Sequence, residues 1–190
     1  MRRPLAAAAV GALSVGMLTA CSPAPEPIVA LAVRDGRPIA VLVTCGSGLS
    51  QISVYEKDRT RTATPEPGDP AATPTMRQHI SWGVHGNATT EVVEVELLGT
   101  PPPGWTSNEP TVVIGLPTPG AFEVVPLPSL QPDVRYGLGG RSHRDAIVVD
   151  FKTADFSRIG PGEVLAPDDG VSVLMPRADF EENARDTCDG

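Results

Sequence analysis

The sequence predicts an all-β protein, an antiparallel β-sandwich, on three observations. Twenty-one prolines and nineteen glycines cut the chain into short valine- and isoleucine-rich runs at roughly eight- to twelve-residue spacing, the rhythm of a sandwich or barrel. Arg34-Asp35-Gly36-Arg37 sits between the runs 28–33 and 38–44, and Asp-Gly supplies the positive-φ residues of a tight hairpin. Within 90–98, Val93, Val95 and Leu97 alternate with Glu94 and Glu96, which is the period of a strand with one wet face.

The remaining elements follow in chain order. Residues 51–56 read as the third strand, and 59–75 as a loop rich in proline, threonine and glycine, too polar to bury and too long for a plain hairpin. Residues 77–85 and 90–98 form the next pair, with Gly86-Asn87 at their turn. Pro101-Pro102-Pro103-Gly104 breaks the chain before strands at 111–116, 122–127, 134–139 and 146–152. The last holds Ile147, Val148, Val149 and Phe151 almost unbroken, as a central strand would. Residues 177–186 suit one short helix, and no internal repeat is present.

Leu130-Gln131-Pro132-Asp133-Val134-Arg135-Tyr136 resembles the L-x-P-x-x-x-Y tyrosine corner of fibronectin type III domains, whose phenol closes a hydrogen bond onto upstream backbone. The resemblance covers residues 110–153 and implies an immunoglobulin/fibronectin type III-like sandwich. Trp82 is a candidate core tryptophan of that fold. The expected organisation is a sandwich domain at 28–153 and a C-terminal extension at 154–190.

The first twenty residues carry a separate signal. Arg2 and Arg3 precede the uncharged segment 4–20, the layout of a secretory signal, and the segment is short and alanine-rich for a membrane-spanning helix. It ends in Leu18-Thr19-Ala20-Cys21, which resembles the lipobox of bacterial lipoproteins. That resemblance implies a signal peptide at 1–20, removed to leave Cys21 diacylated as the new N-terminus. Two acyl chains anchor stably where one does not. Residues 21–27, lipidated cysteine and proline-rich spacer, form the expected tether. Thirteen arginines against two lysines are in keeping with the lipoproteins of high-GC Gram-positive bacteria.

Losing Arg2 and Arg3 moves the formal charge from −8 to −10, a surface that repels phosphate backbones, so nucleic acid is not an expected partner. With Cys21 assigned to lipid, Cys45 and Cys188 remain. In an exported chain such a pair reads first as a disulfide, here tying the C-terminal extension back to an early strand.

Candidate chemistry is sparse. His79 and His85 share a strand face but stand about 20 Å apart, beyond the reach of one metal ion. His143 lies in the turn Arg141-Ser142-His143-Arg144-Asp145, without a G-x-S-x-G nucleophile motif. Asp168-Asp169-Gly170 suits a turn, and Asp179, Glu181 and Glu182 lack the spacing of a calcium loop. Asn87-Ala88-Thr89 has the form of a glycosylation sequon and reads as a turn. Trp105 and Asn108, on a loop after the triple proline, are the candidate recognition residues, since an aromatic on the loop of a rigid sandwich suits sugar or partner contact. Trp105 folded back over an open end of the core is the competing account.

The expected function is a lipid-anchored, non-catalytic binding, adhesion or scaffold module of the cell envelope. It would be held to the membrane by its N-terminal diacylglycerol, with an envelope protein or glycan as partner and no cofactor. Two alternatives stay open. One is a cell-wall-processing enzyme or accessory using His143 and Asp145, and the other an envelope metal carrier using His79, Met76 and the acids.

Overall fold

The computed structural model describes residues 24–46, 48–57, 61–62, 77–108 and 122–188. The expected signal peptide at 1–20, Cys21, Met76, most of the expected loop at 59–75 and the expected strand at 111–116 lie outside the described residues. In chain order the strands are β1 (Val29–Arg34), β2 (Arg37–Val43), β3 (Gly48–Glu56), β4 (Arg61–Thr62), β5 (Arg77–Ala88) and β6 (Val92–Glu96). There follow β7 (Trp105–Ser107), β8 (Phe122–Pro126), β9 (Tyr136–Arg141), β10 (Val149–Phe151), β11 (Glu163–Asp168) and β12 (Val171–Pro176), and helix α1 (Arg177–Cys188) closes the chain.

These strands make two packed sheets. The first runs β12-β11-β1-β2-β6, and the second runs β10-β9-β3-β5-β4, with β7 and β8 also paired to β5. All pairs but β5 with β8 are antiparallel. If β1, β2 and β6 are lettered A, B and E, and β3, β9 and β10 C, F and G, the order is that of an immunoglobulin-like sandwich. The expected all-β sandwich is therefore the fold.

The hairpin signal is met as read. Asp35 and Gly36 have φ of 52° and 75°, and the pairing runs from Arg34↔Arg37 to Val29↔Leu42. Val29, Leu31 and Leu42 turn inward towards the second sheet. There a Cβ on Gly140 of β9 would stand 3.2 Å from Leu42 Cδ1 and 3.5 Å from Val29 Cβ. Ile52, Val54, Val84 and Leu138 close the core from the other side, all fully buried.

The tyrosine corner is also present. The backbone N–H of Gln131 donates to Tyr136 Oη at 2.7 Å, Asp133 takes a φ of 64°, and the buried Tyr136 ring stacks on Phe151 with centroids 5.5 Å apart.

Five expectations are corrected. First, residues 77–85 and 90–98 do not pair. Strand β5 continues through Gly86 and Asn87 to Ala88, which lies opposite Gly48, while β6 crosses to the other sheet and pairs β2. Gly86 is small because the Trp105 ring lies over it; a Cβ there would stand 2.6 Å from Trp105 Cγ. Second, Trp105 stands on a strand rather than a loop, on β7 paired to β5; it is half-buried and packed against the core, in keeping with the account that folds it back.

Third, the sandwich does not end at 153. Strand β11 joins the first sheet beside β1 at Leu31↔Leu165, and β12 returns from it through a second Asp-Gly turn, with φ of 44° at Asp169 and 83° at Gly170. Fourth, Glu26 belongs to the fold rather than to a free spacer. Its N–H donates to Asp145 O and its carbonyl accepts from Ile147 N, while its carboxylate meets Arg144 at 2.6 Å. Fifth, the run at 146–152 supplies an edge rather than a central strand: among the described residues β10 ends the second sheet beside β9.

Helix α1 forms a third layer. It packs on β2, β11 and β12, burying Phe180 and Ala184 over the face of the first sheet that carries Glu94. That residue anchors the helix start: its carboxylate accepts from both Arg34 and Arg177. Arg177 also holds Glu181 at 2.6 Å, and Arg185 continues the ladder to Glu181 at 3.2 Å and Glu91 at 3.4 Å.

Two outcomes follow. Tyr136→Phe removes the corner hydrogen bond and should cost about 1 kcal/mol, lowering the thermal midpoint by roughly 2–4 °C; an unchanged midpoint would remove the corner from the stabilising contacts. At Glu94, partial burial pushes the carboxyl upward, but the hydrogen bonds and charges of Arg177 and Arg34 outweigh it, and the group titrates below its ordinary range. Its contribution is fully present above the unfolded value of about 4.3 and is lost as pH falls through the lower folded value. The stability gap between wild type and Glu94→Gln, measured by denaturant titration, should hold at neutral pH and narrow as pH falls below about 5. A gap that holds constant to the acid end would show the carboxylate to be idle.

Candidate functional site

The outer face of the second sheet is set by alternation. Ile52 and Val54 point inward, so Gln51, Ser53 and Tyr55 point out. The register places Gln51 opposite His85, Ser53 opposite Gly83 and Tyr55 opposite Ser81. On the other flank Ser53 meets Gly139 and Tyr55 meets Gly137. The result is a polar face with a floor of small residues, running along β3 and β5.

Bulkier groups stand at the two ends of this floor. At one end the Tyr55 ring lies across Gly137, where a Cβ would stand 2.6 Å from Cζ, and it meets the His79 ring with centroids 5.5 Å apart. Burial raises the Tyr55 phenol above its ordinary value, Lys57 pulls it down and Asp150 adds to the rise, so the hydroxyl stays protonated at neutral pH and can donate. Asp150 is itself held by Lys57 at 2.6 Å and Arg135 at 3.2 Å.

At the other end Asn108 Oδ1 lies 2.6 Å from His85 Nδ1, and the Asn108 backbone N–H donates to Gly83 O at 2.8 Å. Between the ends is a groove of about 200 Å³ whose lining includes Gln51, Ser53, His79, Ser81, Gly83 and Asn108.

The sequence-predicted residues are distributed unevenly around this face. Asn108 lines the groove. Trp105 lies behind it, packed on Gly86, so the two do not form a patch as neighbouring side chains. His79 and His85 occupy the same face at opposite ends, as the parity of their positions requires, and Trp82 packs against the core. His143 is exposed on its turn, and the Asp145 carboxylate is held by Arg141 at 3.3 Å.

Among the described residues no group of three or more His, Cys, Asp or Glu is placed to hold a metal ion, and no described helix is long and apolar enough to cross a membrane. Gln51, Ser53, Tyr55 and Ser81 were not singled out from sequence. Their alternation with Ile52, Val54 and Ile80 was visible, but the register that makes them one surface was not.

Fold and face together define an immunoglobulin-like β-sandwich whose second sheet presents a polar face among the described residues. Compared with protein-family models, curated proteins and solved structures, the chain gives no match, so the class rests on strand order and the tyrosine corner.

Cys45 and Cys188 are brought together as expected, with Cα atoms 5.0 Å apart across 143 residues of chain, a disulfide-compatible pair. The pair joins the end of α1 to the turn after β2. A non-reduced digest should yield one peptide pair linking them, and Cys188→Ser should cost up to about 5 kcal/mol in the chain-entropy account. Two freely alkylatable thiols in the purified chain would refute the bond.

Proposed function

We propose that the chain is a lipid-anchored, extracytoplasmic binding module of the cell envelope, non-catalytic, serving adhesion or scaffolding. What carries this reading is the placement of the spacer relative to the sandwich. Leu18-Thr19-Ala20-Cys21 resembles a lipobox, and the chain after it enters the fold at Glu26, pinned to the turn between β9 and β10. A tether attached at that end leaves the polar face of the second sheet free to meet a partner. The face offers hydroxyl, amide and imidazole groups on rigid strands, which suits recognition.

Metabolic labelling with a fatty acid should mark the wild-type protein and not Cys21→Ala, which should leave the membrane fraction. Membrane-stripped cell-wall fragments, which offer the anchor no bilayer, should co-sediment the purified chain. Equal labelling of both proteins would remove the anchor, and a chain that stays in the supernatant would remove the binding module.

A further inference from the structure

The groove between Tyr55 and Asn108 is chemically selective. None of the described residues lining it is Asp, Glu, Lys or Arg, although the chain as a whole carries a formal charge of −8. Its polar part offers groups that both donate and accept: Ser53 and Ser81 hydroxyls, Gln51 and Asn108 amides, and the imidazole of His79. Its β8 side is apolar, with Val124, Pro126 and Leu127 beside Trp82. Tyr55 contributes a flat ring with a protonated hydroxyl at one end.

The floor is low because Gly83 and Gly139 have no side chains. A Cβ on Gly83 would stand 2.6 Å from Asn108 Nδ2, so the amide is seated directly over the strand. From His79 to His85 the face extends about 20 Å.

We propose that this face binds an uncharged saccharide chain of the envelope, a reading that rests on the binding-module function above. A neutral sugar presents a ring of hydroxyls, each a donor and acceptor, and a C–H face that settles on an aromatic ring. The hollow of about 200 Å³ is below the range of pockets that enclose drug-sized ligands. It fits one ring of a chain that otherwise lies along the open sheet.

A charged ligand finds no counter-charge within the groove, and the described charges at its rim are paired: Arg141, opposite Gln51, with Asp145, and Lys57 and Arg135, beside Tyr55, with Asp150. The larger hollow beside the cysteine pair, about 490 Å³ and lined by Thr44, Thr90, Glu91 and Arg185, has its two charges paired to each other at 3.4 Å, and nothing in it selects a ligand.

The test is calorimetric titration of the detergent-solubilised full chain with chitotetraose, mannotetraose and maltotetraose, and with oligogalacturonate as the charged counterpart. At least one neutral tetrasaccharide should bind. Asn108→Ala, at an exposed position, and Tyr55→Ala should each weaken it tenfold or more, and Ser81→Trp, which fills the groove, should abolish binding. Thermal midpoints identify any variant that fails to fold, and Asn108→Ala keeps the result decisive in that case.

Binding of no neutral saccharide, binding of oligogalacturonate alone, or binding undiminished in Asn108→Ala and Ser81→Trp overturns the proposal. Co-sedimentation with membrane-stripped cell-wall fragments, to which the lipid anchor cannot bind, separates the two levels. If wild type and Ser81→Trp both co-sediment, the groove is wrong and the module reading stands. If neither does, both fall.

Discussion

Ala30, Val41, Val43, Val164 and Ala166 point away from the partner sheet and are nonetheless sealed from water, because α1 lies over them with Phe180 and Ala184 turned inward. Strands buried on both faces read as continuous apolar runs, and the runs 28–33 and 38–44 have that form. Such a sheet cannot stand as one outer wall of a two-layer protein, since its outer face would be an apolar plate open to water. The helix is therefore required by the composition of β1, β2 and β11. The Arg34–Glu94–Arg177 cluster at its start and the cysteine pair at its end fix where it lies.

Among the described residues no element covers the outer face of the second sheet, and its side chains are sorted accordingly. Positions 51, 53 and 55 are polar or amphipathic while 52 and 54 are apolar, the ordinary alternation of a half-exposed strand. Glycines at 83, 137 and 139 keep that face low. Gly137 admits the Tyr55 ring and Gly83 admits the Asn108 amide. A side chain added at either position would lift the group above it, so the shape of the face depends on these glycines as much as on the groups displayed.

Local signals were legible in the sequence and tertiary partnerships were not. Asp35-Gly36 specified its own hairpin because positive φ at both positions is a property of those residues. The corner at Leu130 to Tyr136 was legible for the same reason, since its hydrogen bond closes within six positions of chain. Gly86-Asn87 carried the same kind of local turn signal but sits inside β5, where the small residue answers to Trp105, nineteen positions away. The boundary at 153 came from the extent of a family resemblance, yet Val164 to Met175 around Asp169-Gly170 carries the hairpin pattern read correctly at Asp35. Asn108 was found as a loop polar group; Ser53, Ser81 and Tyr55 were missed because a surface shared by β3, β5 and β9 depends on register, which alternation alone does not state.

The entry of the chain into the fold orients the face with respect to the proposed anchor. Glu26 is bound to Asp145, Ile147 and Arg144 at the β9–β10 turn, and Arg141 at the end of β9 lies opposite Gln51, which lies opposite His85. The His85–Asn108 end of the groove is thus the end nearer the tether, and the His79–Tyr55 end points away from it. The five steps from Cys21 to Glu26, read from sequence as an extended proline-rich spacer, would span about 15 Å. Were Cys21 lipidated as proposed, that reach would keep the His85–Asn108 end of the groove the nearer one to the anchor, and the His79–Tyr55 end would stand about 20 Å further along β5. A polymer lying along the strands would then leave the face away from the membrane, towards the wall, with no part of the anchor in its path.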